Sequence, residues 1–243
     1  MRLTEAVPSE GTVCVVGAGG KKSLLYTLAR DLHEAVVTST VRIPIFDGHV
    51  GRVVATEDPV TALADAQPDD WPLGLVREQD RKDRYRGYDV ETVAELSEAA
   101  DVPVLVKADG ARGKLFKAPG DLEPMIPATT DAVCPMVSVQ IVGQALSDLV
   151  VHRPESVVDI TNMRIGGVIT ARHVAQVLTD PDGGLKNVPE DATVVPVLNM
   201  VDDDDLEATA REVAAEIYDQ SDRVDRVVLT CLLDEDDPVV DVV

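Results

Sequence analysis

The sequence predicts an α/β fold: a P-loop NTPase-like, three-layer arrangement around a mainly parallel central sheet. Two observations carry this prediction. Strand-like apolar segments alternate with helical patterns along the chain, and a glycine-rich turn followed by two lysines joins the first strand to the first helix. Ligands of such sheets bind at the carboxyl ends of the strands, so we expect the functional residues there. The 243 residues are predicted to form a single domain, 1–243.

Residues 12–32 are predicted to form a strand, a phosphate-binding loop and a helix. Residues 12–16 are apolar and β-branched, and leucines recur at helical spacing after residue 23. Glycines let backbone N–H groups face an anion, a lysine supplies charge for the phosphates, and a hydroxyl can hold Mg²⁺. A tight turn with exposed lysines is the alternative interpretation. The predicted phosphate-binding residues are Gly17, Ala18, Gly19, Gly20, Lys21, Lys22 and Ser23.

The spacing within this loop leaves two registers open, because the standard pattern G-x-x-x-x-G-K-[ST] is not met. In one register Lys21 is the phosphate lysine, and Lys22 stands where the metal-binding hydroxyl belongs. In the other, Lys22 and Ser23 form the Lys-Ser pair, but Lys21 replaces the last glycine. The working prediction assigns the phosphates to Lys21 and a Mg²⁺ ligand to Ser23.

The remaining elements are predicted from periodicity and turn residues. Helices are expected at 59–66, 90–100, 171–178 and 206–218, with a further helical stretch after residue 155. Residues 67–74 are expected to be a loop, 77–86 a solvated surface of mixed charge, and the acidic tail after residue 232 to be solvated. The further strands are expected at 35–40, 51–56, 103–108, 131–139, 193–198 and 226–232.

Two predicted strand ends carry candidate metal ligands. Thr38 belongs to a run of hydroxyl residues that ends the second strand, although the β-propensity of threonine also explains that run. Asp109 follows the apolar strand 103–108, where an aspartate can hold Mg²⁺ beside a phosphate loop. A turn-forming Asp-Gly pair is the alternative. We predict Asp109 as a metal ligand and, with Lys21, as a catalytic residue.

Composition limits the classes of partner. Acidic residues number 44 against 22 basic ones, which gives a net charge of −22, and 45% of residues are apolar. This balance is typical of a globular protein from a salt-accumulating halophile, and the absence of a basic face predicts no nucleic-acid partner. No segment approaches the ~18 apolar residues of a membrane span, and no signal pattern begins the chain, so a cytoplasmic location is expected. The three cysteines are expected to be buried thiols.

The scarce lysines point to a second feature. Five of the seven lysines fall in two short segments, the loop and residues 107–117, where chance clustering is the alternative to a functional role. Arg112, Lys114 and Lys117 are therefore predicted to line an anion site. His152 is either an anion ligand or a surface histidine.

A candidate for base recognition follows the strand at 193–198. Asn199 and Asp202 form an Asn-x-x-Asp pattern, which resembles the Asn-Lys-x-Asp element with which GTP-binding proteins recognise guanine. Met200 replaces the lysine of that element. In the alternative interpretation, residues 202–205 are acidic residues that cap the following helix.

Six segments carry a family resemblance: VVGAGGKKSLL, VVTST, VLVKADGARG, LFKAPGDLEPMIP, VHRPE and VVPVLNMVD, in order over residues 13–202. Together they resemble the YqeC-type selenium-dependent hydroxylase accessory proteins, also called selenium cofactor biosynthesis proteins. The resemblance implies a nucleotide-binding maturation factor for selenium-dependent molybdenum hydroxylases. Its partners would be such a hydroxylase or a selenium-transfer protein.

The sequence departs from the family pattern in three places. Lys22 stands at the hydroxyl position of the family's GGKT or GGKS, Lys107 replaces a glutamate before Ala-Asp-Gly, and Met200 replaces the lysine of Asn-Lys-x-Asp. The first two changes predict inefficient Mg²⁺-dependent hydrolysis, because a lysine near a metal repels it.

The predicted function is therefore a nucleotide-binding accessory protein that uses ATP or GTP with Mg²⁺ and hydrolyses it slowly. A small-molecule kinase, with Asp109 or His152 as general base, is one alternative. A non-hydrolytic nucleotide-binding module is the other.

Overall fold

The computed structural model describes residues 1–243 and has seven helices and fifteen short strands. The helices are α1 (Leu3–Ala6), α2 (Lys21–Leu32), α3 (Pro59–Ala64), α4 (Val90–Ala99), α5 (Pro154–Thr161), α6 (Ala171–Thr179) and α7 (Asp204–Gln220). The strands are β1 (Thr12–Gly17), β2 (Val36–Ser39), β3 (Ile43–Pro44), β4 (Arg52–Ala55), β5 (Leu73–Val76), β6 (Glu78–Arg81), β7 (Arg84–Arg86), β8 (Val104–Lys107), β9 (Phe116–Lys117), β10 (Ala132–Ser138), β11 (Val151–His152), β12 (Thr193–Val194), β13 (Val197–Asn199), β14 (Val228–Thr230) and β15 (Val239–Val242).

The central sheet has ten strands and is mainly parallel, as predicted. Its order is β15-β14-β13-β10-β1-β8-β2-β5-β4, with β12 paired to β10, and only β15 runs antiparallel to its neighbour. The first strand of the fold, β1, lies in the interior between β8 and β10. The loop that leaves its carboxyl end is therefore flanked by the ends of both neighbours.

Helices cover both faces of the sheet, which confirms the three-layer α/β prediction. Val13 and Val15 pack in one cluster with the leucines of α2, whereas Cys14 and Val16 pack in a second cluster with α4. Successive strand residues point to opposite faces, so these two helices lie on opposite sides of β1. A third cluster joins α6 and α7 to β10, β13 and β14. No helix combines the length and the apolar content that crossing a membrane requires.

Two segments differ from the sequence prediction, and a third, the mixed-charge segment 77–86, is exposed as predicted. Leu73–Val76 forms strand β5, although residues 67–74 are predicted as loop. Pairing with β2 and β4 buries this short apolar run, whereas the prolines and glycine in the segment indicate a turn. Val239–Val242 lies in the tail predicted to be solvated, but it pairs with β14. The mixed-charge segment forms the β6–β7 hairpin, whose surface is largely exposed. Of the predicted buried thiols, Cys14 and Cys134 are buried and Cys231 is half-buried.

Candidate functional site

The loop between β1 and α2 packs tightly on the end of β10. Gly17 and Gly19 have φ of 89° and 80°, the left-handed region that side chains rarely adopt. A Cβ atom on Gly17 would collide with the carbonyl group of Met136, and one on Gly19 would collide with the backbone of Ser138. Glycine is therefore required at both positions for steric reasons, independently of any ligand.

The first three N–H groups of the loop donate to the protein itself. Gly17 donates to Oδ2 of Asp109 (2.8 Å), Ala18 to the carbonyl of Met136 (2.8 Å), and Gly19 to the carbonyl of Lys114 (3.2 Å). These groups were predicted to face a phosphate, and they do not. The N–H groups of Gly20 and of the first turn of α2 have no acceptor within the helix, so the available donors lie at the helix N-terminus.

Lys21 is the buried lysine of the loop. It is 5% exposed, its ammonium group donates to the carbonyl oxygen of Gly17, and it lies 2.9 Å from Oδ1 of Asp109. Burial lowers the pKa of Lys21, and the carboxylate opposes that shift. Lys22 and Ser23 are exposed on the outer side of the helix. The geometry favours the register in which Lys21 is the phosphate lysine.

Asp109 lies at the tip of β8, directly beside the loop, and is 1% exposed. Its Oδ2 atom accepts the Gly17 N–H and lies 2.8 Å from the ammonium of Lys117. Burial by itself would raise the pKa of Asp109, but the charges of Lys21 and Lys117 outweigh it and hold the pKa below its usual range. Asp109 is therefore a buried carboxylate between two lysines.

The contacts continue from Lys117 through Glu123 to Arg153. The Lys117 ammonium lies 3.0 Å from Oε2 of Glu123, and Nη1 of Arg153 lies 2.7 Å from the same oxygen. We call Lys21, Asp109, Lys117, Glu123 and Arg153 the ion-pair chain. Sequence reasoning missed Glu123 and Arg153, although both lie in the quoted segments LFKAPGDLEPMIP and VHRPE, which the fold brings to the tip of β8.

Lys107 adds a further buried cation. Its side chain is 6% exposed, and its ammonium donates to the carbonyl oxygens of Arg42 (3.0 Å) and Asp109 (2.8 Å). Burial, with repulsion from Lys21, lowers the pKa of Lys107 from 10.5 to about 7. Cationic side chains thus outnumber the two carboxylates in this part of the molecule, which favours an anionic ligand.

The predicted Mg²⁺ ligands do not come together. The hydroxyl of Thr38 is fully buried and donates to the carbonyl of Leu75 (2.7 Å), on the side of β2 away from the loop. Ser23 is exposed, and both oxygens of Asp109 face lysine ammonium groups. No group of three acidic, histidine or cysteine side chains is placed to hold a metal ion. The donor set does not fit a divalent cation.

Asn199 and Asp202 occupy different environments. Asn199 is 3% exposed; its amide donates to the Gly19 carbonyl (2.8 Å) and its Oδ1 accepts from the Thr230 hydroxyl (3.0 Å). Asn199 therefore holds the loop in place through the Gly19 carbonyl. Asp202 is exposed and accepts a hydrogen bond from Gln140 (2.7 Å). The capping role predicted as the alternative for residues 202–205 is confirmed for Asp203, whose side chain accepts a hydrogen bond from the Leu206 N–H.

The other predicted anion ligands differ in their ion pairs and hydrogen bonds. Arg112 is exposed and has no ion pair or side-chain hydrogen bond. Lys114 donates to the carbonyl of Leu149 (2.9 Å), while Lys117 belongs to the ion-pair chain. A cavity of about 20 Å³, lined in part by Gly17, Asp109 and Lys117, has room for about one water molecule. A larger ligand has to approach from the open side of the helix N-terminus.

Comparison with known proteins places this site in a family context. A family model described as YqeC protein matches residues 13–155, a range that contains the whole ion-pair chain. A relative, "Uncharacterized protein YqeC" of Escherichia coli (strain K12), is 28% identical over 192 residues, which cover 77% of this chain and 75% of that protein.

Proposed function

This chain belongs to the YqeC family, and from that premise we propose that it is a nucleotide-binding accessory protein with weak NTP hydrolysis. The observation that carries the proposal is the placement of Lys21. It is a buried lysine at the start of α2, on the loop that leaves an interior strand of the parallel sheet, beside an aspartate on the neighbouring strand tip. Switch points of this kind, at the carboxyl ends of strands, are where open α/β sheets bind ligands.

Phosphate binding in this proposal is an exchange of partners. The Lys21 ammonium leaves Asp109 and contacts the terminal phosphate, while N–H groups of the helix N-terminus contact the same group. Asp109 keeps the Gly17 N–H and the Lys117 ammonium, so its charge stays compensated after Lys21 has moved. The ligand would be ATP or GTP, with Asp202 as the exposed candidate for recognising the base.

Slow hydrolysis follows from the same contacts. Rapid hydrolysis needs a positioned water and usually a metal ion between a loop hydroxyl and an acidic residue. Both oxygens of Asp109 are held by lysines and a backbone N–H, so this carboxylate is poorly placed to take a proton. The proposed hydrolysis therefore includes no Mg²⁺-dependent step.

The biological role in this proposal comes from the family resemblance. It would be the maturation of selenium-dependent molybdenum hydroxylases, with such a hydroxylase or a selenium-transfer protein as partner. A small-molecule kinase would need a general base near the terminal phosphate, and the engaged state of Asp109 gives no support to that role. A non-hydrolytic nucleotide-binding module is the second candidate, which the engaged state of Asp109 favours over a kinase.

The direct test is equilibrium titration of the protein with ATP, GTP and inorganic phosphate in high KCl. We expect saturable binding of at least one nucleotide, and phosphate release far below the ~10 s⁻¹ of a typical enzyme. Absence of binding for every nucleotide would refute the proposal. Rapid release of phosphate that stops on addition of a chelator would refute the account of hydrolysis.

A further inference from the structure

Basic side chains gather beside Asp109, in a segment that also contacts the loop, since the Gly19 N–H donates to the carbonyl of Lys114. Strands β9 and β11 form a parallel ribbon in which His152 lies opposite Lys117. Arg153 follows His152 and is held by Glu123, and Lys114 precedes the ribbon and is tied to the carbonyl of Leu149. The ribbon therefore presents several cations at fixed positions, next to the tip of β8.

Arg112 adds a free cation at the edge of this ribbon. Its guanidinium group is exposed and makes no ion pair, although the chain carries a net charge of −22 and offers 44 acidic residues. The backbone of Arg112 is left-handed, with φ of 50°, and the next residue is Gly113, beside which there is open space. The Arg112 guanidinium is therefore free to contact an anionic ligand.

The local potential at His152 supports this view. Burial and, to a smaller extent, the nearby charges of Arg153, Lys117 and Arg112 together lower the pKa of His152 from 6.5 to about 4. Glu123 is the one carboxylate that opposes them there, and it already contacts both Lys117 and Arg153. The positive charge around the ribbon is thus only partly compensated by the protein.

We propose that Arg112, His152 and Arg153, backed by Lys117, form a second anion subsite that binds the oxyanion group of a second small ligand. The subsite is distinct from the phosphate site at Lys21 and is linked to it through the ion-pair chain. Glu123 positions Arg153 and does not itself contact the anion. The idea that two anionic ligands bind side by side rests on the proposed function, whereas the subsite itself stands on the ribbon geometry.

The experiment counts bound inorganic phosphate by isothermal titration calorimetry, with ³¹P NMR for weak binding. It uses the full chain as wild type, Lys21→Ala, Arg112→Ala and Arg30→Ala. Arg30 is exposed near the end of α2 far from the loop, so Arg30→Ala is the matched control. We expect two phosphates per chain in the wild type and in Arg30→Ala. Lys21→Ala should lose one, and Arg112→Ala should weaken the other about tenfold, the usual effect of one charged hydrogen bond.

The outcomes separate the two proposals. One phosphate that is lost in Lys21→Ala and unaffected by Arg112→Ala would overturn the subsite and leave the proposed function standing. One phosphate that depends on Arg112 and not on Lys21 would support the subsite and count against the proposed function. The subsite would be overturned if two phosphates bound with affinities that Arg112→Ala does not change, or if no phosphate bound at all. Since Arg112 makes no side-chain contact, its replacement is not expected to impair folding.

Discussion

The ammonium group of Lys21 lies 2.9 Å from Oδ1 of Asp109, and the two side chains are only 5% and 2% exposed. Breaking such a buried pair leaves an uncompensated charge, which is costly unless another partner takes over. For Asp109 that partner is Lys117, at 2.8 Å. For Lys21 the natural replacement is an anion that arrives at the helix N-terminus. In the proposed function, the phosphate of the ligand replaces Asp109 as the partner of Lys21.

Replacing Lys21 by alanine should lower nucleotide affinity at least tenfold, because the ligand loses its buried cation. The fold should persist, since Asp109 keeps Lys117 and the Gly17 N–H. Titration with a fluorescent nucleotide analogue measures the effect. The control is Lys82→Ala, which removes an exposed lysine of the β6–β7 hairpin. Equal affinity of Lys21→Ala and wild type would remove Lys21 from the site.

Asp109→Asn should destabilise the protein by about 3–5 kcal/mol, because Lys21 and Lys117 would then lie buried without their shared carboxylate. Urea denaturation monitored by circular dichroism gives the free energy of unfolding. Asp101→Asn is the matched control, since Asp101 is exposed and precedes the opposite end of β8. A loss no larger than that of the control would show that the ion-pair chain contributes little to stability.

Asn199 and Asp202 should differ in their effect on base preference. Asn199→Ala removes the amide that holds the Gly19 carbonyl, so affinity should fall by a similar factor for ATP, GTP and inorganic phosphate. Asp202→Ala should change the ratio of ATP to GTP affinity and leave inorganic phosphate unaffected. Competition titrations with the three ligands check both statements. An unchanged ratio in Asp202→Ala would exclude this residue from base recognition.

Lys107 should make stability depend on pH. Its pKa falls from 10.5 to about 7 on folding, so between these values the unfolded chain holds a proton that the folded chain has released. Raising the pH through this window therefore favours the folded state, by up to about 1.4 kcal/mol per pH unit. Below pH 7 both states hold the proton, so the folded state bears the full free-energy cost of burying the charged ammonium group.

The measurement is the free energy of unfolding of wild type and Lys107→Met between pH 7 and 10. The difference between the two proteins should change with pH, because methionine does not titrate. The pKa of Lys21 is also lowered and the two ammonium groups repel each other, so the difference reports the titration of Lys107 together with its coupling to Lys21. A difference that stays constant over this range would contradict the shifted pKa of Lys107.

Removal of Mg²⁺ should change nucleotide affinity little, since the lysines around Asp109 occupy the space that a metal ion would need. Affinities measured with Mg²⁺ and with a chelator provide the test. Lys22→Thr introduces a hydroxyl in the first turn of α2 and removes a nearby charge, so it should strengthen the dependence on Mg²⁺. A large loss of wild-type affinity on chelation would show that a metal ion belongs to the site.

Sequence patterns alone were enough to predict the local elements and the position of the loop. The apolar run of β1, the leucine spacing of α2 and the aspartate at the tip of β8 are patterns of neighbouring residues, and backbone geometry converts them directly into strands, a helix and a turn. The order of such elements was enough to predict a mainly parallel sheet. Strand β5 was not predicted, because its short apolar run becomes a strand only through pairing with β2 and β4.

Which side chains contact one another depends on how the strands are ordered in the folded chain. Asp109 lies beside Lys21 because the order of the sheet sets β8 next to β1, and Lys117 reaches the same carboxylate from β9, which lies outside the central sheet. The hydroxyl of Thr38 donates to the carbonyl of Leu75 because β2 pairs with β5, and local sequence patterns do not reveal that pairing. Strand order and long-range pairing depend on the summed burial of the whole chain, and no segment carries that information alone.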